Sequence, residues 1–127
     1  MDDQRSRADE FRRLHVAGDP LVLFNAWDAG SARAVAAGGA RAIATGSWSV
    51  AAAHGYPDGE SLPLDLAISN LERIVRAVDL PVTIDLESGY GARPAAVSES
   101  ITRATRAGAV GCNLEDSVAG GDSLYSA

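Results

Sequence analysis

The chain has 127 residues and a formal net charge of −6, and 46% of its residues are hydrophobic. That suffices for one domain with one core and is too apolar for a disordered chain. Every basic side chain is an arginine and the arginines are scattered, which argues against nucleic acid as a partner, because phosphate binding needs clustered positive charge.

Cys112 is the only cysteine, so no intramolecular disulfide can form and a reducing, cytoplasmic location fits. Residues 1–13 are strongly charged, unlike a signal peptide. No apolar run reaches the roughly 20 residues of a membrane helix. A soluble, cytoplasmic protein without a membrane partner is expected.

Residues 3–17 read as a short amphipathic helix with Phe11 and Leu14 as its apolar contacts, broken by Gly18-Asp19-Pro20. Leu21 to Phe24 is a continuous apolar run of strand length, as expected for a strand buried on both faces. Ala29 to Ala37 reads as a helix stopped by Gly38-Gly39. Arg41 to Thr45 reads as a second strand. Residues 46–61 are expected to form a loop with one helical turn near Val50 to Ala53. Ala67, Leu71, Ile74, Val75 and Val78 recur at helical spacing and predict a helix from Leu64 to Val78. Val82 to Leu86 follows as a strand opened by Pro81. Pro94 suits the first turn of the next helix, and Gly108 its end. Val110 to Leu114 is the fourth strand.

Strands alternating with helices imply right-handed βαβ units and a parallel sheet. Two α/β architectures share this order. A small doubly wound sheet suits the length. A (β/α)8 TIM barrel normally takes about 250 residues, so only an N-terminal helix and the first four βα units of one would be present. The chemistry at the strand ends favours the barrel. Residues 1–127 are therefore expected to be a single partial domain, the N-terminal half of a TIM barrel. Gly120-Gly121-Asp122 and the residues after it stop in a loop, as a sequence truncated at its C-terminus would.

Asp85 and Glu87 stand two apart on one predicted strand, so their side chains point to one side, with Thr83. Two carboxylates converging at a strand end repel unless a cation or proton lies between them. An oxygen-only set suits Mg²⁺ or Mn²⁺ rather than zinc. The alternative is a pair of solvated loop-edge acids. The glycines of Ser88-Gly89-Tyr90-Gly91 favour the ligand site, because they let the backbone turn sharply beside it. Glu115 and Asp116 end the neighbouring strand, and the carboxyl ends of parallel strands lie side by side. Glu115 can face Asp85 and Glu87 and reach a cation through water. Asp116 reads as a cap or loop contact.

Thr45-Gly46-Ser47 offers main-chain N–H groups that would bind a carboxylate, or forms an ordinary βα turn. Asp58, in Gly55-Tyr56-Pro57-Asp58-Gly59, is either a mobile acid over the site or a turn former. Asp28 suits a helix cap and Trp27 a packing role. His54, His15 and Cys112 carry little weight as catalysts. No phosphate-binding glycine fingerprint, zinc-spaced cluster or Ser-His-acid arrangement is recognisable.

From Leu21 to Asp116 the chain resembles the isocitrate lyase / phosphoenolpyruvate mutase superfamily. The segments that carry the resemblance are Asn25-Ala26-Trp27-Asp28 with Ser31-Ala32, Ala42 to Ser47, Gly55 to Asp58, Asp85 to Gly91, and Gly111 to Asp116. It implies an (α/β)8 barrel, oligomeric when full length. It also implies Mg²⁺ held by Asp85 and Glu87, with Glu115 acting through water. Thr45, Gly46 and Ser47 would bind the carboxylate of a pyruvate-like substrate. Asp58 is the catalytic candidate, on a mobile loop near the site. The implied chemistry passes through an enolate of a small 2-oxo acid.

Two departures shape the expected activity. The lyases' Lys-Lys-Cys-Gly-His-type loop has no counterpart, and Ser117 to Gly121 lacks the lysine of mutase-like members. A divergent lyase cleaving a C–C bond beside a 2-oxo acid is the first expectation. A C–P hydrolase or mutase acting on a phosphonate is the second. An inactive fragment or non-catalytic interaction domain, with open sheet edges, is the third.

Overall fold

In the computed structural model the structure describes residues 2–118 and 123–125. Gly120, Gly121, Asp122, Ser126 and Ala127 of the predicted terminal loop lie outside the described residues. The elements in order are α1 (Asp2–Arg13), β1 (Asn25–Ala26), α2 (Ala29–Ala37), β2 (Ile43–Thr45), α3 (Ser47–Ala53), α4 (Leu64–Ala77), β3 (Val82–Asp85), α5 (Pro94–Arg106) and β4 (Gly111–Asn113). The strands form one parallel sheet in the order β1-β2-β3-β4. This order decides between the two architectures. A doubly wound sheet reverses its strand order at a switch point, whereas a barrel adds each strand beside the last. The chain winds as the N-terminal part of a barrel.

The core lies between one face of the sheet and the helices. Ile43, Val82, Ile84 and Leu86 meet Ile68, Leu71 and Ile74 of α4, with Ala104 of α5 beside them. The predicted α4 stripe is therefore the buried one. Cys112 packs against this core, half-buried, and burial raises its thiol pKa. A second, smaller cluster joins Val50 and Ala51 of α3 to Leu62 and Ala67.

Local chemistry starts α2 and α5, and longer-range contacts tie α1, α4 and α5 together. The Asp28 carboxylate accepts the Ser31 N–H at 2.7 Å, and the Ser31 hydroxyl accepts the Asp28 N–H at 3.0 Å, a reciprocal cap for α2. Pro94 opens α5, where its missing N–H is not needed. Arg103 of α5 pairs with Asp65 of α4. The α1 helix closes the end of the sheet opposite the acids: Gln4 Nε2 donates to the carbonyls of Thr105 (2.7 Å) and Ala109 (3.0 Å), just before β4.

Four local expectations need correction. The first helix stops at Arg13, short of residue 17, and Val16 and Asp19 form an isolated antiparallel bridge. The run Leu21 to Phe24 is not a two-sided buried strand. β1 is only Asn25–Ala26, and Val22 and Phe24 are 64% and 60% exposed while Leu21 and Leu23 are half-buried. An apolar run is buried on both faces only if both are covered, and this edge segment is covered on one. Residues 47–53 form a full helix beginning immediately after β2, longer than the single turn expected. Finally, β3 ends at Asp85, so Glu87 lies beyond the strand.

Candidate functional site

The C-terminal ends of β2 and β3 meet through Asp85. Its main-chain N–H donates to Thr45 Oγ1 at 3.0 Å. Its carboxylate accepts the Ser47 N–H on Oδ2 (3.1 Å) and the Glu87 N–H on Oδ1 (3.0 Å). Ser47 begins α3, so the Asp85 carboxylate lies at a helix N-terminus, where main-chain dipoles favour negative charge. Two of its oxygen lone pairs are thus used for orientation, and the remaining ones are available to a ligand.

Glu87 is buried at the head of a sharp turn. Its φ is +52°, in the left-handed region. The strand alternation that predicts a shared side with Asp85 therefore does not apply to it; a tight turn brings it back instead. Gly89, at φ +97°, completes that turn, and its N–H donates to the Leu86 carbonyl at 2.7 Å. A Cβ on Gly89 would lie 2.8 Å from a Val97 methyl, so only glycine fits.

The Glu87 carboxylate accepts the Glu60 N–H at 2.8 Å. Burial is the main cause holding its pKa above the ordinary glutamate value. The Glu60 N–H offsets part of this, and the charges of Asp58, Glu60 and Asp85 raise it further. Tyr90, at φ +58°, is pushed well above the usual tyrosine range by burial and then by Glu87, Glu60, Asp85 and Asp58.

The structure thus joins Asp85 and Glu87 in one turn, with Glu60 bonded to that turn and Asp58 two residues before Glu60 on the same loop. The salt bridges among the described residues lie elsewhere, joining Arg7 to Asp3 and Asp79, Arg12 to Asp9, and Arg103 to Asp65. No basic side chain among them neutralises these four acids. The donor chemistry suits a hard, oxygen-seeking cation. Among the described residues, no three His, Cys, Asp or Glu side chains converge closely enough to hold a metal ion by themselves. A cation here would rest on Asp85 and Glu87 and take its other oxygens from water or substrate, as Mg²⁺ commonly does.

Glu115 stands apart. Its main-chain N–H donates to the Glu87 carbonyl at 2.8 Å, which fixes the backbone beside the site. Its side chain is exposed, and its carboxylate accepts the Ser117 hydroxyl at 3.0 Å. Asp116 is exposed, and its carbonyl accepts the Tyr125 N–H at 2.8 Å, a loop contact. Asp58 is exposed on the loop before α4.

Thr45, Gly46 and Ser47 bracket Asp85. An open cavity of about 380 Å³ is lined by Gly46, Ser47, Ser49, Asn25, Trp27 and Asp85. A Cβ on Gly46 would meet Asn25 Nδ2 at 2.7 Å, so the bare backbone lets Asn25 reach this wall. Two contributors are absent from the sequence expectations. Glu60 is one. The other is Asn70, buried on α4, whose Nδ2 donates to the Trp27 carbonyl at 3.0 Å and fixes the end of β1. The repeat of an acid two residues after an acid, Asp58-Gly59-Glu60 as in Asp85-Leu86-Glu87, is the one sequence signal that marks Glu60. His54 caps α3 with Nδ1 2.9 Å from the Val50 carbonyl, and His15 stacks edge-on to Phe11; neither touches the acids.

Residues 11–127 match the sequence profile of phosphoenolpyruvate phosphomutase. The chain belongs to that family. It is 38% identical over 109 residues to an uncharacterized protein of Mycobacterium tuberculosis, a match covering 86% of this chain and 41% of that protein. The structure of a candidate phosphonomutase from Burkholderia cenocepacia J2315 superposes with a TM-score of 0.92 at 62% identity, over 95% of this chain and 49% of the other. The structure of 2,3-dimethylmalate lyase, a member of the PEP mutase/isocitrate lyase superfamily, superposes with a TM-score of 0.81 at 27% identity, over 94% and 42%. The chain therefore spans less than half the length of each of these relatives and corresponds to their N-terminal part. The resemblance drawn from the sequence segments is confirmed, as is the parallel α/β fold.

Proposed function

We propose that this chain carries the cation- and carboxylate-binding part of a Mg²⁺-dependent lyase-type enzyme, with Mn²⁺ able to substitute, acting on a small 2-oxo acid or its adduct. The observation that carries the proposal is the pairing of Asp85 and Glu87 in one turn at the parallel strand ends without a neutralising basic side chain among the described residues. Asp85 and Glu87 would hold the cation, and Glu115, whose carboxylate accepts the Ser117 hydroxyl, would contribute through water. When bound, the cation supplies Lewis-acid polarisation of the substrate's oxygens.

The chain's own residues do the rest. Thr45 and the Ser47 N–H fix the direction of Asp85, so its free lone pairs face the cavity walled by Gly46, Ser47 and Asn25. The substrate carboxylate binds against Thr45, Gly46 and Ser47, beside the Asp85 carboxylate that already accepts the Ser47 N–H. Asp58 approaches from the exposed loop as the acid that exchanges a proton with the substrate. C–C cleavage is the preferred reaction class, as in 2,3-dimethylmalate lyase. The 62% identity to a candidate phosphonomutase supports C–P chemistry on a phosphonate as the second reading.

The test is a calorimetric titration of Mn²⁺, then oxalate, into the chain and into its Asp85→Ala variant. Oxalate is expected to bind only after Mn²⁺, and only to the unsubstituted chain. Equal Mn²⁺ binding by both proteins would remove the proposed ligand role.

A further inference from the structure

Glu60 makes a reciprocal pair of contacts with the turn that carries Glu87. Its main-chain N–H donates to Glu87 Oε2 at 2.8 Å. Its own Oε1 accepts the N–H of Ser88 at 3.1 Å, the hydroxyl of Ser88 at 2.6 Å and the N–H of Tyr90 at 2.8 Å. Three donors thus converge on one carboxylate oxygen, which a negative charge accepts far better than a neutral carbonyl does.

The backbone shows what this arrangement holds. The described non-glycine residues with positive φ are Glu60 (57°), Glu87 (52°) and Tyr90 (58°). All three take part in this clasp. A left-handed conformation is unfavourable for a residue with a Cβ and persists only where surrounding contacts impose it. The other main-chain hydrogen bonds of the turn run from the Leu86 N–H to the Asn113 carbonyl, from the Glu87 N–H to Asp85, from the Gly89 N–H to the Leu86 carbonyl and from the Glu115 N–H to the Glu87 carbonyl. None of these engages the N–H of Ser88 or Tyr90. Those two donors are satisfied by Glu60, which lies 28 and 30 residues earlier in the chain.

We propose that Glu60 is a positioning residue of the candidate site. Its carboxylate closes the Ser88–Tyr90 turn and so sets the direction of Glu87. Its backbone ties the exposed loop carrying Asp58 over the strand ends, because Asp58 lies two residues upstream. The proposal rests on the cation-site reading for its consequence, but not for the clasp itself. Glu60 does not act as a ligand; it acts through Glu87 and through the loop.

The experiment uses the 127-residue chain with Glu60 intact, Glu60→Gln and Glu60→Ala. The first readout is amide hydrogen exchange at Ser88 and Tyr90 without metal. Glu60→Ala is expected to speed exchange at both amides by about tenfold or more, the size of a charge-assisted hydrogen bond. Glu60→Gln, which keeps an acceptor but loses the charge, is expected to fall between the two. The second readout is Mn²⁺ affinity, expected to fall about tenfold in Glu60→Ala and to recover to within about threefold in Glu60→Gln. Unchanged exchange at both amides in Glu60→Ala overturns the clasp. Faster exchange with unchanged Mn²⁺ affinity overturns the positioning role. If Glu60→Ala does not fold, exchange in Glu60→Gln decides, and rates equal to those of the unsubstituted chain overturn the clasp. If the unsubstituted chain binds no Mn²⁺, the cation reading fails by itself, and the amide exchange still decides the clasp.

Discussion

Two neighbouring strands end in acid pairs, Asp85-Leu86-Glu87 after β3 and Glu115-Asp116 after β4, and the two pairs have opposite fates. Glu87 is buried, with Glu60 closing over it from the loop before α4. Glu115 and Asp116 are exposed, and the Glu115 carboxylate bonds only locally to Ser117. The residue types are the same and the strand ends are adjacent. The difference is what lies on each side. β3 is flanked by β2 and β4 and receives α3 and the Asp58–Glu60 loop, whereas among the described residues no side chain from another element bonds to the acids after β4. Neighbouring segments desolvate and orient the acid after β3, and those among the described residues leave the acids after β4 in solvent.

The largest expected effect tests the acids at the end of β3. Asp85→Ala should weaken Mn²⁺ binding by more than about 100-fold, because loss of a supporting partner alone typically costs about 10–100-fold. Glu115→Ala should cost about tenfold or less in the same titration. Equal losses would erase the contrast between the two strand ends.

Gly89→Ala comes next. It forces a Cβ into a left-handed turn against Val97, so a loss of about 1–3 kcal/mol in denaturant unfolding is expected. A neutral result would mean that the turn is freely remodelled.

The third prediction concerns pH. The Glu87 pKa is raised in the folded state, so the folded state binds its proton more tightly than the unfolded chain does. The resulting stability is fully present at low pH and is lost as the pH rises through the raised value. The metal-free chain should therefore melt at a lower temperature above the ordinary glutamate range than within it. Glu87→Gln should flatten that dependence.

The smallest effect belongs to the cap of α2, whose hydrogen bonds join Asp28 and Ser31 and neither acid pair. Asp28→Ala should lower stability by about 1 kcal/mol. Because the Ser31 N–H and then the Ser31 hydroxyl lower the Asp28 pKa, this contribution is present at neutral pH and fades as acid protonates Asp28. Mn²⁺ affinity should not change.

The sequence by itself determined the alternation of strands and helices, the apolar stripe of α4, the Asp28 cap and the segments that mark the family. These depend on residues near one another in the chain: side-chain periodicity, a cap three residues from its partner, a proline at the start of a helix. Tertiary structure decided the rest. The consecutive strand order selected the barrel-type winding over a doubly wound sheet. The one-sided cover of residues 21–24 left Val22 and Phe24 exposed, although their apolarity predicted burial. The left-handed turn at Glu87, rather than strand alternation, returned that carboxylate toward Asp85. Glu60 reached the turn from a loop more than two dozen residues earlier, a contact that no local spacing encodes. Its physical basis is long-range desolvation: buried main-chain donors and a crowded carboxylate must find partners, and only the folded chain brings those partners within reach.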